Sequence, residues 1–162
     1  MARRSLCPGA KQADMYSAIL IPTDGSEGTD GAIDHAIDIA TTYDAALHTL
    51  YVVDTDIGVD ASIAGAFDAL EDAGRDAIDE VVSRAEAAGV DRIEGAIGRG
   101  KPHRAILEYA DGNDVDLVVM GTHGRTGLNR YLIGSVTERV VRLSDTPVLT
   151  VRMRSDGDEG PP

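Results

Sequence analysis

An apolar run that leads into a glycine-bearing loop and then into a helix leaves a chain few folds to adopt. Residues 115–143, VDLVVMGTHGRTGLNRYLIGSVTERVVRL, hold that order. The apolar run over residues 115–120 is interrupted only by Asp116, and glycines follow at Gly121, Gly124 and Gly127. Gly134 and Ser135 then precede a segment whose Val136, Val140, Val141 and Leu143 fall at helical spacing. A buried strand, a glycine loop and a helix start make an anion-binding arrangement. Glycine lets the backbone approach a phosphate, and the first helical turn supplies N–H donors and partial positive charge. Ser135-Val136-Thr137-Glu138 also has the spacing of a capping box, with Ser135 as N-cap and Glu138 at the third helical position. The glycine spacing is Gly-x2-Gly-x9-Gly-Ser, from Gly121 through Gly124 to Gly134 and Ser135.

The rest of the chain alternates in the same way. Residues 17–22 predict a central strand that stops at Pro22, with Asp24 just past its end. Ile33, Ala36, Ile37 and Ala40 mark the apolar stripe of a helix over residues 27–42. A second strand covers residues 48–53 and ends on Asp54, a carboxylate that serves either a ligand or the loop; a small, polar loop follows over residues 55–65. Residues 66–88 form a helix with Phe67, Leu70, Ile78, Val81 and Val82 inward, and residues 92–97 a third strand. Gly98-Arg99-Gly100 turns the chain, and Pro102 suits the first turn of a helix through residue 109, where His103 reads as a surface residue. The last helix leads to a strand over residues 147–152. Residues 1–14 lack periodicity and read as a disordered extension or tag, with Met15 the expected start. The folded domain is expected over residues 15–153, and residues 154–162 as a disordered tail. Such a βαβαβαβαβ alternation demands a parallel sheet with helices on both faces.

The glycine spacing resembles the nucleotide-binding signature of the universal stress protein family, in its ATP-binding branch. Three further stretches are similar to that family: Ala18-Ile19-Leu20-Ile21-Pro22-Thr23-Asp24-Gly25-Ser26, Leu50-Tyr51-Val52-Val53-Asp54, and Thr146-Pro147-Val148-Leu149-Thr150-Val151. Pattern and resemblance together imply an open five-stranded sheet in order 3-2-1-4-5, Rossmann-like and similar to the adenine nucleotide alpha hydrolase fold. In such sheets ligands bind beyond the carboxyl ends of the strands where the winding reverses, here between strands 1 and 4. The resemblance implies that Pro22 and Val52 border an adenine, that Asp24 lies near the ribose or a phosphate-bound Mg2+, and that Thr23 is among the binding residues. It implies that Met120, Gly121, Thr122, His123, Gly124, Arg125, Thr126 and Gly127, with Gly134, Ser135, Val136 and Thr137, wrap the ribose and phosphates. It also implies a homodimer through residues 147–151, whose Val148, Leu149 and Val151 make an apolar sheet edge. The ligand so implied is ATP, or ADP or AMP, with Mg2+.

For Asp24 the plain alternative is a turn carboxylate satisfying nearby N–H groups, and for Ser135 pure helix capping. Arg125 and Arg130 either neutralise phosphate or point to solvent. His123 is the one evident titratable group in the loop and, with no visible orienting carboxylate, a weak general-base candidate. There is no GxxxxGK[ST] loop, and Thr23-Asp24-Gly25-Ser26 does not match the SGGxDS loop of ATP pyrophosphatases. The expected function is therefore a nucleotide-dependent regulatory or stress-response protein with at most slow ATPase activity. The rivals are a true ATP hydrolase or transferase using Asp24 and His123, and a ligand-free interaction module.

Charge narrows the partners. With 28 acidic against 15 basic residues the net is -13, which disfavours nucleic acid and anionic membrane. Lys11 and Lys101 are the only lysines, and the Asp-rich, Lys-poor balance resembles proteins of salt-loving archaea. Cys7 is the single cysteine and has no partner for an intrachain disulfide, which fits a reducing, cytoplasmic setting. No apolar run reaches the roughly 18 residues of a membrane helix, and no apolar segment follows Arg3 and Arg4 as a leader would need.

Overall fold

The computed structural model describes residues 15–56, 65–123 and 133–152. Along them run β1 (Ala18–Thr23), α1 (Asp30–Tyr43), β2 (Ala46–Val53), α2 (Ala66–Ala87), β3 (Ile93–Arg99), α3 (Pro102–Gly112), β4 (Leu117–Gly121), α4 (Ser135–Leu143) and β5 (Val148–Val151). A 3-10 turn at Glu27–Thr29 leads into α1. The strands make one parallel sheet in order β3-β2-β1-β4-β5, the order expected from the alternation and the resemblance.

Successive side chains of a strand point to opposite faces, so a strand covered on both faces reads as an unbroken apolar run. Ile19 and Ile21 of β1 and Leu117 and Val119 of β4 pack with Ala36 and Ala40 of α1 and Val81 and Ala85 of α2. Leu20, Val118 and Met120 face the other way, onto Ile106 and Ala110 of α3 and Val140 of α4. Helices α1 and α2 thus cover one face and α3 and α4 the other. Ile19, Leu20 and Ile21 are wholly buried, and each such side chain contributes about 1.5–3 kcal/mol relative to exposure.

Pro22 shows how this layout opens a crevice. The Ala18 carbonyl accepts the Asp116 N–H, and the Ser17 carbonyl accepts the Ala46 N–H. Even-numbered residues of β1 therefore turn their backbone groups toward β4 and odd-numbered ones toward β2. The ladder to β4 ends at Leu20↔Val118, whereas the ladder to β2 continues to Thr23↔Tyr51. Proline has no N–H to give, and Pro22 occupies the first even position past the β4 ladder. The missing donor coincides with the parting of β1 from β4. The expectation that β1 stops at Pro22 is corrected by one residue, because pairing with β2 carries it to Thr23.

Other boundaries move for similar reasons. β3 continues through Gly98 and Arg99, paired with Val52 and Val53. The turn expected over Gly98-Arg99-Gly100 is confined to Gly100, whose φ of +116° is open to glycine. β2 starts at Ala46, and α3 runs on to Gly112. The inward stripes of α1 and α2 are as expected, with Phe67, Leu70 and Val82 packed against Tyr51, Val53 and Ile78. Asp116, the polar interruption in the apolar run, is a latch: its Oδ2 accepts the N–H of Ser17 at 2.7 Å and of Ala18 at 3.1 Å. The extension over residues 1–14, the tail over 154–162 and most of the loop over 55–65 lie outside the described residues.

Candidate functional site

Where β1 and β4 part, a cavity of about 530 Å³ opens at the carboxyl end of the sheet, within the range of small-molecule sites. β1 contributes Pro22 and Thr23, β4 contributes Met120 and Gly121, and β2 contributes Val52. Pro102 and Ile106 of α3 and Val136 of α4 add apolar wall, while Asp24 and Asp54 stand at the strand ends. His123, Gly134, Ser135 and Thr137 complete the lining from the glycine loop and the start of α4.

Short hydrogen bonds hold the β1–α1 turn. Asp24 Oδ1 accepts the Ser26 N–H at 2.9 Å and the Ser26 hydroxyl at 2.5 Å, a turn in the Asx manner. Thr23 Oγ1 accepts the Gly25 N–H at 3.1 Å and lies 3.4 Å from the Thr29 hydroxyl, which donates to the Ser26 carbonyl at 2.8 Å. The turn role weighed for Asp24 is thus present, and the residue lines the cavity as well. Asp54 behaves likewise: its Oδ1 accepts the Asp56 N–H at 2.9 Å.

Both ends of the glycine loop are pinned to the sheet. The Thr122 N–H donates to the Val151 carbonyl at 3.0 Å, and the Gly134 N–H to the Thr122 carbonyl at 2.7 Å. The Thr137 hydroxyl, buried, donates to the Gly121 carbonyl at 2.9 Å and ties the first turn of α4 to the end of β4. Gly121 has a packing reason of its own, since a Cβ there would lie 2.5 Å from the Gly28 carbonyl oxygen.

The expected capping box is corrected. Gly134 is the N-cap, no side chain among the described residues caps the helix, and Ser135 is its first residue. Glu138 does not reach back, because its carboxylate pairs with Arg142 at 2.5 Å. The intrahelical ladder begins with the Glu138 N–H on the Gly134 carbonyl. The N–H groups of Ser135, Val136 and Thr137 therefore have no intrahelical acceptor, and the positive end of the α4 dipole sits at the cavity.

Eleven of the residues expected to bind a ligand line this cavity: Pro22, Thr23, Asp24, Val52, Met120, Gly121, His123, Gly134, Ser135, Val136 and Thr137. Thr122 does not, its backbone being used between β5 and Gly134. Gly124, Arg125, Thr126, Gly127 and Arg130 lie outside the described residues. The half-buried His123 ring places Nδ1 2.9 Å from the Thr122 hydroxyl. Sequence reasoning missed Thr29, Tyr51, Val53, Leu70, Pro102 and Ile106 as lining. The apolar ones among them read as ordinary core or turn positions, and only the crossing of helix and strand separates the two roles. Among the described residues no group of three or more His, Cys, Asp or Glu side chains could hold a metal ion. Nor is any described helix long and apolar enough to cross a membrane.

Comparison with known proteins agrees with this architecture. The family model described as Universal stress protein family matches residues 15–152. Universal stress protein MJ0531 of Methanocaldococcus jannaschii is 41% identical over 143 residues, covering 86% of this chain and 84% of that protein. The solved structure of MJ0577, from the same organism, is similar with a TM-score of 0.79 at 33% identity, covering 88% of this chain and 99% of that one. A universal stress protein solved in complex with cAMP is similar with a TM-score of 0.64 at 31% identity, covering 85% and 98%. The parallel sheet, the crevice between β1 and β4, and a family match along nearly the whole length lead to one conclusion: the chain belongs to the universal stress protein family.

Proposed function

We propose that this chain binds an adenine nucleotide, ATP first among them, and acts as a nucleotide-dependent regulatory or stress-response protein with at most slow ATPase activity. One observation carries the reading: an apolar-walled cavity at the parting of β1 and β4, into which the first turn of α4 brings Ser135, Val136 and Thr137. Apolar walls suit a base, and a helix start suits phosphate. Pro22 and Val52 border the adenine, with the Val52 backbone at its edge. Asp24 takes the ribose or a phosphate-bound Mg2+, and Thr23 lines the site beside it. Met120, Gly121, His123, Gly124, Arg125, Thr126 and Gly127, with Gly134, Ser135, Val136 and Thr137, wrap ribose and phosphates, and Arg130 adds positive charge. The relative solved with cAMP supports an adenine nucleotide as the ligand class. The hydrolase reading is kept because Asp24 and His123 line the same cavity.

The acid surplus of the chain supports work in a salt-rich cytoplasm without nucleic acid as partner. Strand β5, at the sheet edge, supports a homodimer. The test is the nucleotide released by acid from protein purified in high KCl. About one ATP per chain is the expected result. ADP or AMP would favour hydrolysis by Asp24 and His123. A protein that is empty and takes up no added ATP would overturn nucleotide binding and leave the interaction module.

A further inference from the structure

The chain has 28 acidic residues against 15 basic ones, and among the described residues Arg92, Arg104, Arg139 and Arg152 have no carboxylate within ion-pair distance, Arg92 donating instead to the Asp44 carbonyl. Arg75, Arg84, Arg99, Lys101 and Arg142 are each ion-paired. Arg104 of α3 and Arg139 of α4 are exposed and, among the described residues, have no carboxylate within ion-pair distance. Glu108 lies one turn along from Arg104 and does not pair with it, while Glu138, beside Arg139, is taken by Arg142. The two helices pack together, and His103 precedes Arg104 in the first turn of α3. Its pKa is lowered, by partial burial first and then by the charges of Arg139, Arg104 and Lys101. Two exposed arginines without carboxylate partners thus lie on this pair of packed helices of a strongly negative molecule.

The surroundings narrow the partner. Residues four apart share a helix face, so Ser135, Arg139 and Leu143 form one line along α4. That line starts at the cavity with Ser135 and ends on Leu143, which is 58% exposed. Exposed arginines grip carboxylates in paired hydrogen bonds. An exposed leucine one turn along from Arg139 offers apolar contact that neither a nucleic-acid backbone nor a free inorganic anion can use. We propose that the outer face of α3 and α4 is a docking surface for an acidic segment of a partner protein, with Arg104 and Arg139 taking its carboxylates and Leu143 an apolar side chain. The claim is independent of what the cavity binds.

The probe is a short fluorescein-labelled peptide of Asp and Glu carrying one Leu, titrated at low salt and read by anisotropy. The whole chain is expected to bind it, more weakly as salt rises. Arg104→Ala with Arg139→Ala should weaken binding roughly tenfold or more, on the order of two charge-assisted contacts. Both side chains are exposed, so the fold should survive, and an unchanged far-UV circular dichroism spectrum checks that it does. Arg75→Ala, which removes an arginine already paired on α2, should leave binding unchanged. Bound carboxylates should also raise the His103 titration midpoint in proton NMR. No binding by the native chain would overturn the proposal, as would equal loss in the Arg75 variant or an unmoved His103. So would single-stranded DNA binding at the same arginines, or self-association of the chain lost with them, which would give the face to a nucleic acid or to a second copy.

Discussion

A methyl group at position 121 would come within 2.5 Å of the Gly28 carbonyl oxygen, closer than real contacts allow. The atom it meets is backbone, so relief requires the 3-10 turn or the end of β4 to move. Gly121→Ala should cost about 1–3 kcal/mol as an overpacking change, measured as a lowered urea midpoint. Because Gly121 lines the cavity, ATP affinity should fall with it; unchanged stability would show that the turn yields easily. Thr49 is the opposite case. It is wholly buried in β2, and its hydroxyl has no hydrogen-bond partner among the described residues. Leaving a buried hydroxyl unsatisfied costs about 1–3 kcal/mol, and valine has nearly the same shape. Thr49→Val should stabilise the protein by about 1 kcal/mol, read as a raised urea midpoint at constant slope. A destabilised variant would reveal that the hydroxyl is satisfied after all, by a bound water.

At the scale of elements, polar residues join segments far apart in sequence. Asp116 accepts two N–H groups at the start of β1 from a position 99 residues away. Hydrogen bonds to a charged acceptor contribute about 1.5–3 kcal/mol each when protected from water, and Ser17 is exposed, so the pair together is worth the low end. Asp116→Ala should cost about 1–3 kcal/mol and speed amide exchange at Ser17 and Ala18, whereas Asp116→Asn should retain part of both. Unaltered exchange in the alanine variant would reduce the latch to an incidental contact. Helix α4 shows where periodicity overreaches. Val136, Val140, Val141 and Leu143 all fall at helical spacing, yet Val141 and Leu143 are 47% and 58% exposed. A helix of nine residues at the sheet margin presents only its Val136 and Val140 side to β4 and α3.

For the whole molecule the open question is the free edge of the sheet. The Val118 N–H donates to the Pro147 carbonyl and the Thr122 N–H to the Val151 carbonyl. Odd-numbered residues of β5 therefore face β4, and Val148 and Thr150 turn their backbone groups outward. Thr150→Pro removes an outward N–H and leaves the β4 ladder intact, a substitution edge strands tolerate. If the proposed homodimer forms through this edge, size exclusion with light scattering in high KCl should give a dimer for the native chain and a monomer for the variant. The far-UV circular dichroism should not change. A native monomer would remove the dimer, and a dimeric proline variant would move the interface elsewhere.

The sequence by itself determined the order and kind of the elements, because burial on two faces makes unbroken apolar runs and burial on one makes helical stripes. Local signals pointed to part of the described cavity lining, Asp24 after Pro22 and Gly121 and Gly134 flanking the loop, and the family resemblance supplied most of the rest. Tertiary structure alone decided that β1 runs on beside β2 after it has left β4, which residue caps α4, and why Gly121 must be glycine. It also brought Leu70 and Ile106 to the cavity. Each of these depends on which backbone lies across from which, as in Gly121 against Gly28 or Thr137 on Gly121. Such pairings arise only when the strands are in register, and no local run of residues encodes them.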